Sequence, residues 1–161
     1  MGERLSTTGL VVRADYTKGR YTTVVTGRAA LSGFSTRTIG TRTVTVRFSD
    51  GSASRTSRFG YRVVKAATTT RLTLSTTTVK RARTKVAVTA TLSRAVTARK
   101  PSGRVRFYRD GVAVGTVVLK NGTARLRYPV FRTAGRHTIT VRYFGTSSLA
   151  ASRATTIITV R

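Results

Sequence analysis

The chain has no cysteine, no tryptophan, two prolines and four acidic residues among its 161 positions. Without cysteine it holds no disulfide and no thiolate-bound metal, so a buried core has to stabilise it unaided. The same absence leaves the redox compartment open. The four acids, Glu3, Asp15, Asp50 and Asp110, are scattered, and His137 is the single histidine. Calcium sites draw on clustered carboxylates, and general acid–base chemistry on a carboxylate pair or a partnered histidine. Neither pattern is present. Asp50 and Asp110 each precede a glycine as turn residues, and His137 reads as a residue at the end of a sheet,. The serines lack a neighbouring base or a nucleophile-elbow motif. No catalytic, metal or cofactor site is expected.

Long apolar runs are missing too. No stretch approaches the roughly 20 residues of a membrane-spanning helix, and the opening MGERLSTTGLVV lacks the apolar segment of a secretion signal,. Helical periodicity is hard to find, and no glycine-rich loop opens a helix.

What is there is alternation with a period of two, carried by Val, Thr, Tyr, Phe and Ile. Leu10, Val12 and Ala14 fall on one side of a strand and Val11, Arg13 and Asp15 on the other, with a turn at Lys18-Gly19. TRTVTVRFSDG turns Val44, Val46 and Phe48 inward and ends at Asp50-Gly51, a dipeptide suited to the positive φ angles of a type I′ turn,. The return strand carries Phe59, Tyr61 and Val63 on one face. Farther along, the inward sets are Leu72 and Leu74; Val86, Val88, Ala90 and Leu92; Val105 and Phe107; Leu126 and Tyr128; and Ile139, Val141 and Tyr143. Asp110-Gly111 and Asn121-Gly122 mark hairpins between them,. Short strands separated by turn signals every 8–12 or so residues are the pattern of an antiparallel sandwich or barrel. KAATTT, from Lys65 to Thr70, has no bulky residue to bury and reads as a junction between two domains,.

The segments ATTTRLTLS, KVAVTATLS, PSGRVRFYRDGVAVGTVVLKNGTARL, AGRHTITVRYFGTSSLAAS and the closing ITVR together resemble bacterial Ig-like repeat domains. That pattern pairs a P-x-G-x-V-x-F strand with a G-x-H-x-(I/V)-T-V-x-Y-x-G strand. GERLSTTGLVVRADYTKGRYTTVV and LSGFSTRTIGTRTVTVRFSDG resemble a second class of bacterial Ig-like domain, found in tandem on surface and secreted proteins. That class opens with a further strand ahead of its GE-x-L element, and here Met1 alone precedes Gly2. The resemblance implies an all-β chain of two tandem immunoglobulin-like antiparallel β-sandwich domains, residues 1–66 and 67–161, the first short of its opening strand. It implies a spacer, adhesive or wall-associated role and supplies no catalytic residues.

Charge is the remaining signal. With 31 Lys plus Arg against 4 Asp plus Glu, the formal charge is +27, whereas a magnitude of about 2 to 8 suffices for solubility. Such a field attracts any polyanion. Arg104 and Arg106 project opposite to Val105 and Phe107, and Arg142 away from Val141 and Tyr143. Ig-type topology sets these two strands side by side, so the three arginines share an outer face with Tyr108. Arg125 and Arg127 point outward on the hairpin partner, and Lys80, Arg81, Arg83 and Lys85 form a basic loop. These residues are the candidate polyanion contacts. Two accounts of them stand side by side. One is binding; the other is a solvated sheet face, where GC-rich coding favours arginine, its stems cover the sheet and its charge keeps strand edges apart. Sequence-specific reading of nucleic acid is disfavoured, because there is no recognition helix and no RNP-like aromatic pair.

Three roles fit these residues. The first is the end of a longer secreted or cell-surface protein of a high-GC, actinobacterial type, acting as spacer and basic anchor to an anionic cell-wall polymer or an acidic protein surface. The second is a complete small protein of a phage virion, a decoration or tail component, which the missing secretion signal favours. The third is an assembly module docked by charge on an acidic subunit or, without sequence preference, on nucleic acid.

Overall fold

The computed structural model describes residues 5–16, 21–95 and 100–161, and the chain divides into two compact units, Met1–Val64 and Lys65–Arg161. The Lys18-Gly19 turn and Glu3 lie outside the described residues. Among those described there is no α-helix; a 3₁₀ turn at Thr26–Arg28 is the one helical segment.

In the first unit, β1 (Arg13–Tyr16) pairs with β2 (Tyr21–Val24), and β3 (Ala30–Ser32), β4 (Gly40–Ser49) and β5 (Ser54–Val63) form a three-stranded antiparallel sheet in that order. The alternation in β4 buries Val44 and Val46 and leaves Thr43 and Arg47 to solvent. Phe48 is half-buried, with the Arg28 guanidinium 5.4 Å above its ring. Phe59, Tyr61 and Val63 share one half-buried face of β5, and the Tyr61 hydroxyl donates to the Ser35 carbonyl at 2.9 Å.

The β4–β5 turn departs from the expected type I′ geometry. Of its residues only Gly51 has a positive φ, 92°, and Asp50 contributes through its carboxylate instead. That group accepts from the Ala53 and Ser52 N–H groups at 2.9 and 3.0 Å and from the Ser52 hydroxyl at 2.9 Å. These donors, Ala53 first, hold its pKa down at about 2. The turn therefore centres on Gly51-Ser52, the glycine-first arrangement of a type II′ turn.

The second unit comprises β6 (Thr68–Leu74), β7 (Thr78–Val79), β8 (Ala87–Arg94), β9 (Arg104–Arg109), β10 (Val112–Val118), β11 (Thr123–Arg127), β12 (Gly135–Tyr143) and β13 (Ser152–Val160). They make a five-stranded sheet, β10-β9-β12-β13-β7, and a three-stranded one, β11-β8-β6. Between the two sheets Val88, Ala90 and Leu92 meet Val105, Phe107, Ile139, Val141 and Tyr143 in one buried cluster. The inward residues read from the alternation are all buried there except Leu72, Leu74 and Leu126, which pack at its margin. Tyr128 and Tyr143 are fully buried and satisfy their hydroxyls on the Tyr108 and Ser102 carbonyls at 3.1 and 2.7 Å,. Burial pushes both phenols above their ordinary value.

Two expectations change here. Asp110-Gly111, with φ of 50° and 82°, joins β9 to β10 as a type I′ hairpin,. Asn121-Gly122 has the same left-handed pair, 50° and 76°, yet it links strands of different sheets, and only Lys120 and Thr123 bridge across it. Leu119 and Ala124 on either side both enter the core, so the chain passes at this turn from one wall of the core to the other. The second change concerns KAATTT. All of it falls in the second unit: the Ala66 N–H donates to the Ser148 carbonyl, and the Ala66 carbonyl accepts from Ala150, each at 2.9 Å. The Thr68 and Thr70 hydroxyls lie 2.8 and 2.7 Å from the Ser152 hydroxyl. Polar pairs hold this segment in place without a bulky side chain, and Thr70 is buried,.

Candidate anion-binding face

β9 and β12 lie side by side, as expected. Because Val105 and Phe107 are drawn into the core, Arg104 and Arg106 stand on the solvent face of the larger sheet, and Val141 and Tyr143 place Arg142 there in the same way. Arg106 is directly opposite Arg142, and Arg142 directly opposite Arg153 of β13. Directly opposed residues have Cβ atoms about 4.5–5.5 Å apart. All three side chains are exposed. Phe144, immediately past β12 and 44% exposed, carries both the Arg106 and the Arg142 guanidinium, 5.5 and 5.3 Å from its ring centre. Arg106 Nε also donates to the Thr116 hydroxyl at 3.2 Å. In the adjoining row stand Tyr108, Thr140 and Thr155, and Tyr108, Gly111, Thr140, Arg142 and Arg153 border a shallow depression.

No acidic residue occurs in β9, β10, β12 or β13. Every other arginine in a described strand pair stands opposite an uncharged residue. Opposed like charges cost a sheet about 0.2–1 kcal/mol per pair. An anion placed over the row removes that repulsion and accepts charge-assisted hydrogen bonds from planar, forked donors. The aromatic ring holds two of these guanidinium planes in place.

The nine candidate contacts fall in three places. Arg104, Arg106 and Arg142 come together as expected. Arg125 and Arg127 do not join them: β11 belongs to the smaller sheet, and they project from the opposite wall beside Thr89 and Ala87. The cause is the crossing at Asn121-Gly122, which preserves their outward parity and changes which face is outward. Lys80, Arg81, Arg83 and Lys85 are exposed around a turn at one end of the sandwich. There the Arg81 N–H donates to the Arg161 carbonyl and the Ala82 N–H to the Phe131 carbonyl, both at 2.7 Å. Arg153 and Phe144 were missed. The signal for Arg153 was its parity in SRATTIITV, where it alternates against the inward Ile158 and Val160.

A second polar cluster lies at the sandwich end. His137 Nδ1 is 2.6 Å from Asp110 Oδ2, and His137 Nε2 is 2.9 Å from the Thr133 carbonyl. Asp110 Oδ1 accepts the Thr138 N–H at 2.8 Å. Phe131 packs 5.2 Å from the imidazole and carries Arg109 at 5.2 Å. The Asp110 and Thr133 acceptors raise the His137 pKa. Burial works against the Asp110 carboxylate, but the His137 and Thr138 donors outweigh it and hold its pKa low. Both imidazole nitrogens are thus committed to oxygens that only accept.

Residues 72–161 match a family model described as bacterial Ig-like domain (group 3), and residues 1–57 match a second model of the same description. The chain belongs to the bacterial Ig-like domain (group 3) family. The two classes suggested by the sequence are two members of that one group, in tandem. Such domains are generally non-catalytic and typical of surface and extracellular proteins, and this chain is a structural or adhesive Ig-like module. Among solved structures it is similar to the fibronectin(III)-like modules of Clostridium thermocellum CbhA, at 22% identity and a TM-score of 0.46, over 76% of this chain and 63% of that one. It is also similar to a chimeric titin Z1Z2-Z1Z2 tandem functionalized with a GRGDS peptide from fibronectin, at 18% identity and a TM-score of 0.38, over 75% of this chain and 65% of that one. The Ig-like chain spans less than two thirds of the length of either. No curated protein matches it by sequence. Among the described residues no helix is long and apolar enough to cross a membrane, and no three potential metal ligands gather.

Proposed function

We propose that this protein is a non-catalytic Ig-like module of the bacterial cell surface that anchors to an anionic envelope polymer through the outer face of its five-stranded sheet. The observation that carries the reading is the row of Arg106, Arg142 and Arg153, opposed in register with no acid on their face. A fold that only needed solubility had no cause to align them, since register elsewhere in the described strand pairs sets arginine against an uncharged residue. His137, the single histidine, has both nitrogens occupied, which supports the non-catalytic part of the reading.

The test is retention on immobilised polyphosphate across a salt series, with a neutral polysaccharide as control. The triple variant Arg106→Ser, Arg142→Ser, Arg153→Ser loses about 2 from the log–log salt slope, at about 0.7 per phosphate contact on a single-stranded polymer. The double variant Arg125→Ser, Arg127→Ser, on the other wall, keeps the parent slope to within one contact. Equal losses for the two variants would show a diffuse field and overturn the assignment to this face.

A further inference from the structure

The five-stranded sheet ends at β10, which pairs only with β9 among the described residues. Sheet edges are normally protected by charge, proline, bulges or a covering segment. Among the strands of this unit longer than two residues, β10 alone carries no charged residue. It has a bulge between Ala113 and Gly115, after which the ladder with β9 runs regularly from Gly115 to Val118. Val112 and Val118 are 71% and 54% exposed. Val114 and Val117, with Leu126 behind them, are only partly buried at the margin of the core. Among the described residues the edge is therefore open in both respects that matter to an incoming strand: its backbone has no strand partner on one side and its apolar layer is incomplete.

We infer that β10 accepts an extended acidic segment of a partner protein as a further antiparallel or parallel strand. Main-chain hydrogen bonding of this kind supplies affinity, and alternate side chains supply specificity. The charge of the neighbouring rows selects the partner. An added strand lies about 4.8 Å beyond β10, and its outward side chains stand about 10 Å from those of β9. Arg106 already leans toward β10 through its bond to Thr116, and Arg104 is in register with Val118. Carboxylates at alternate positions of the added strand meet these guanidinium groups, while the intervening apolar residues extend the layer of Val117 and Leu126. A second copy of the chain is a poor occupant, because pairing β10 with itself brings two arginine faces of +27 chains into one sheet,. This site shares Arg106 with the polymer-binding row and differs from it in using the β10 backbone instead of Arg142 and Arg153.

The experiment uses the full chain and a seven-residue peptide alternating Val and Glu, the length of β10. Binding is read by fluorescence anisotropy and by hydrogen exchange of the β10 amides. Two further peptides carry N-methyl groups on alternate backbone nitrogens, one in each frame. The expected result is slowed exchange in β10, about tenfold or greater loss of affinity for one methylated frame, and little change for the other. Loss of binding on Arg106→Ser, with binding kept in Arg142→Ser, Arg153→Ser, separates this edge from the polymer face. The inference is overturned if both methylated frames bind like the parent, since charge alone then accounts for binding. It is equally overturned if the peptide does not bind, or if the chain alone sediments as a dimer with protected β10 amides.

Discussion

The two units are written with the same alternation of apolar and polar residues, and they use it to different ends. In the second unit the alternating faces of two sheets meet, and the resulting cluster holds Phe107, Tyr128, Ile139, Val141 and Tyr143 fully out of solvent. In the first, the described buried hydrophobics are Val25, Val44 and Val46, while Phe48, Phe59 and Tyr61 stay half-buried. A period of two makes a strand in either case; only a facing sheet turns it into a core. Arginine placement differs in the same sense. Across β4 and β5 every arginine faces an uncharged residue, and Arg28 is folded onto Phe48. Across β9, β12 and β13 three arginines face one another. Number of charges therefore says little about a site, and register says a good deal.

The strongest way to break the first half of this comparison is to empty the core of each unit in turn. Phe107→Ala removes a fully buried ring and costs about 3–5 kcal/mol,. Val46→Ala, at a smaller and less enclosed site, costs about 1–2 kcal/mol,. In scanning calorimetry the first unit is expected to melt below the second, with Val46→Ala moving only the lower transition and Phe107→Ala only the upper. A single transition shifted by both substitutions would erase the distinction between the units.

Much of this was legible in the residues. The inward parity of Val105, Phe107, Ile139 and Val141 follows from alternation, and Asp110-Gly111 announced its turn. Parity does not say to which sheet a strand belongs. Asn121-Gly122 has the positive φ angles of a hairpin whether its strands pair or part, so the outward parity of Arg125 and Arg127 does not say on which wall they stand. Leu149 and Phe131 are buried from loops, where no period exists to mark them. The pairing of His137 with Asp110 joins residues far apart in sequence, through the adjacency of β9 and β12. Asp110 had already been explained by its turn, and nothing local pointed to its second role.

That pair gives a smaller effect, and it also separates the units. With both nitrogens set against oxygens that only accept, the folded state favours the imidazolium, and the His137 pKa is raised. A raised pKa contributes stability that is complete below the ordinary histidine value of about 6.5 and is lost as pH rises through the folded value. Asp110, held low, contributes above the ordinary carboxylate value and loses that contribution as pH falls through its own,. The pair is thus worth most between those limits. Asp110 is 45% exposed, so solvent screening keeps the amount to about 1 kcal/mol. Raising the pH from 6 past the His137 titration lowers the upper transition by about 4–8 °C, leaves the lower one in place, and has no such effect in His137→Gln. Movement of the lower transition by the same amount would place the titrating group elsewhere.

The smallest effect bears on the arginine row, and its sign is the informative part. Arg142 has Arg106 on one side and Arg153 on the other, so Arg142→Thr removes two opposed like-charge pairs at once and puts a β-branched residue into an exposed strand position,. Loss of the Phe144 contact offsets part of that gain,. The net expectation is a second unit more stable by about 0.5 kcal/mol at low salt, with the advantage fading toward 1 M salt, where the Debye length falls to about 3 Å. A residue kept at a cost to the fold, in a register used nowhere else in the described sheets, is what an anion-binding face requires. If Arg142→Thr instead destabilises the unit at every salt concentration, the guanidinium is acting as a structural cover for Phe144 and its neighbours. The row would then belong to the sheet, not to a ligand.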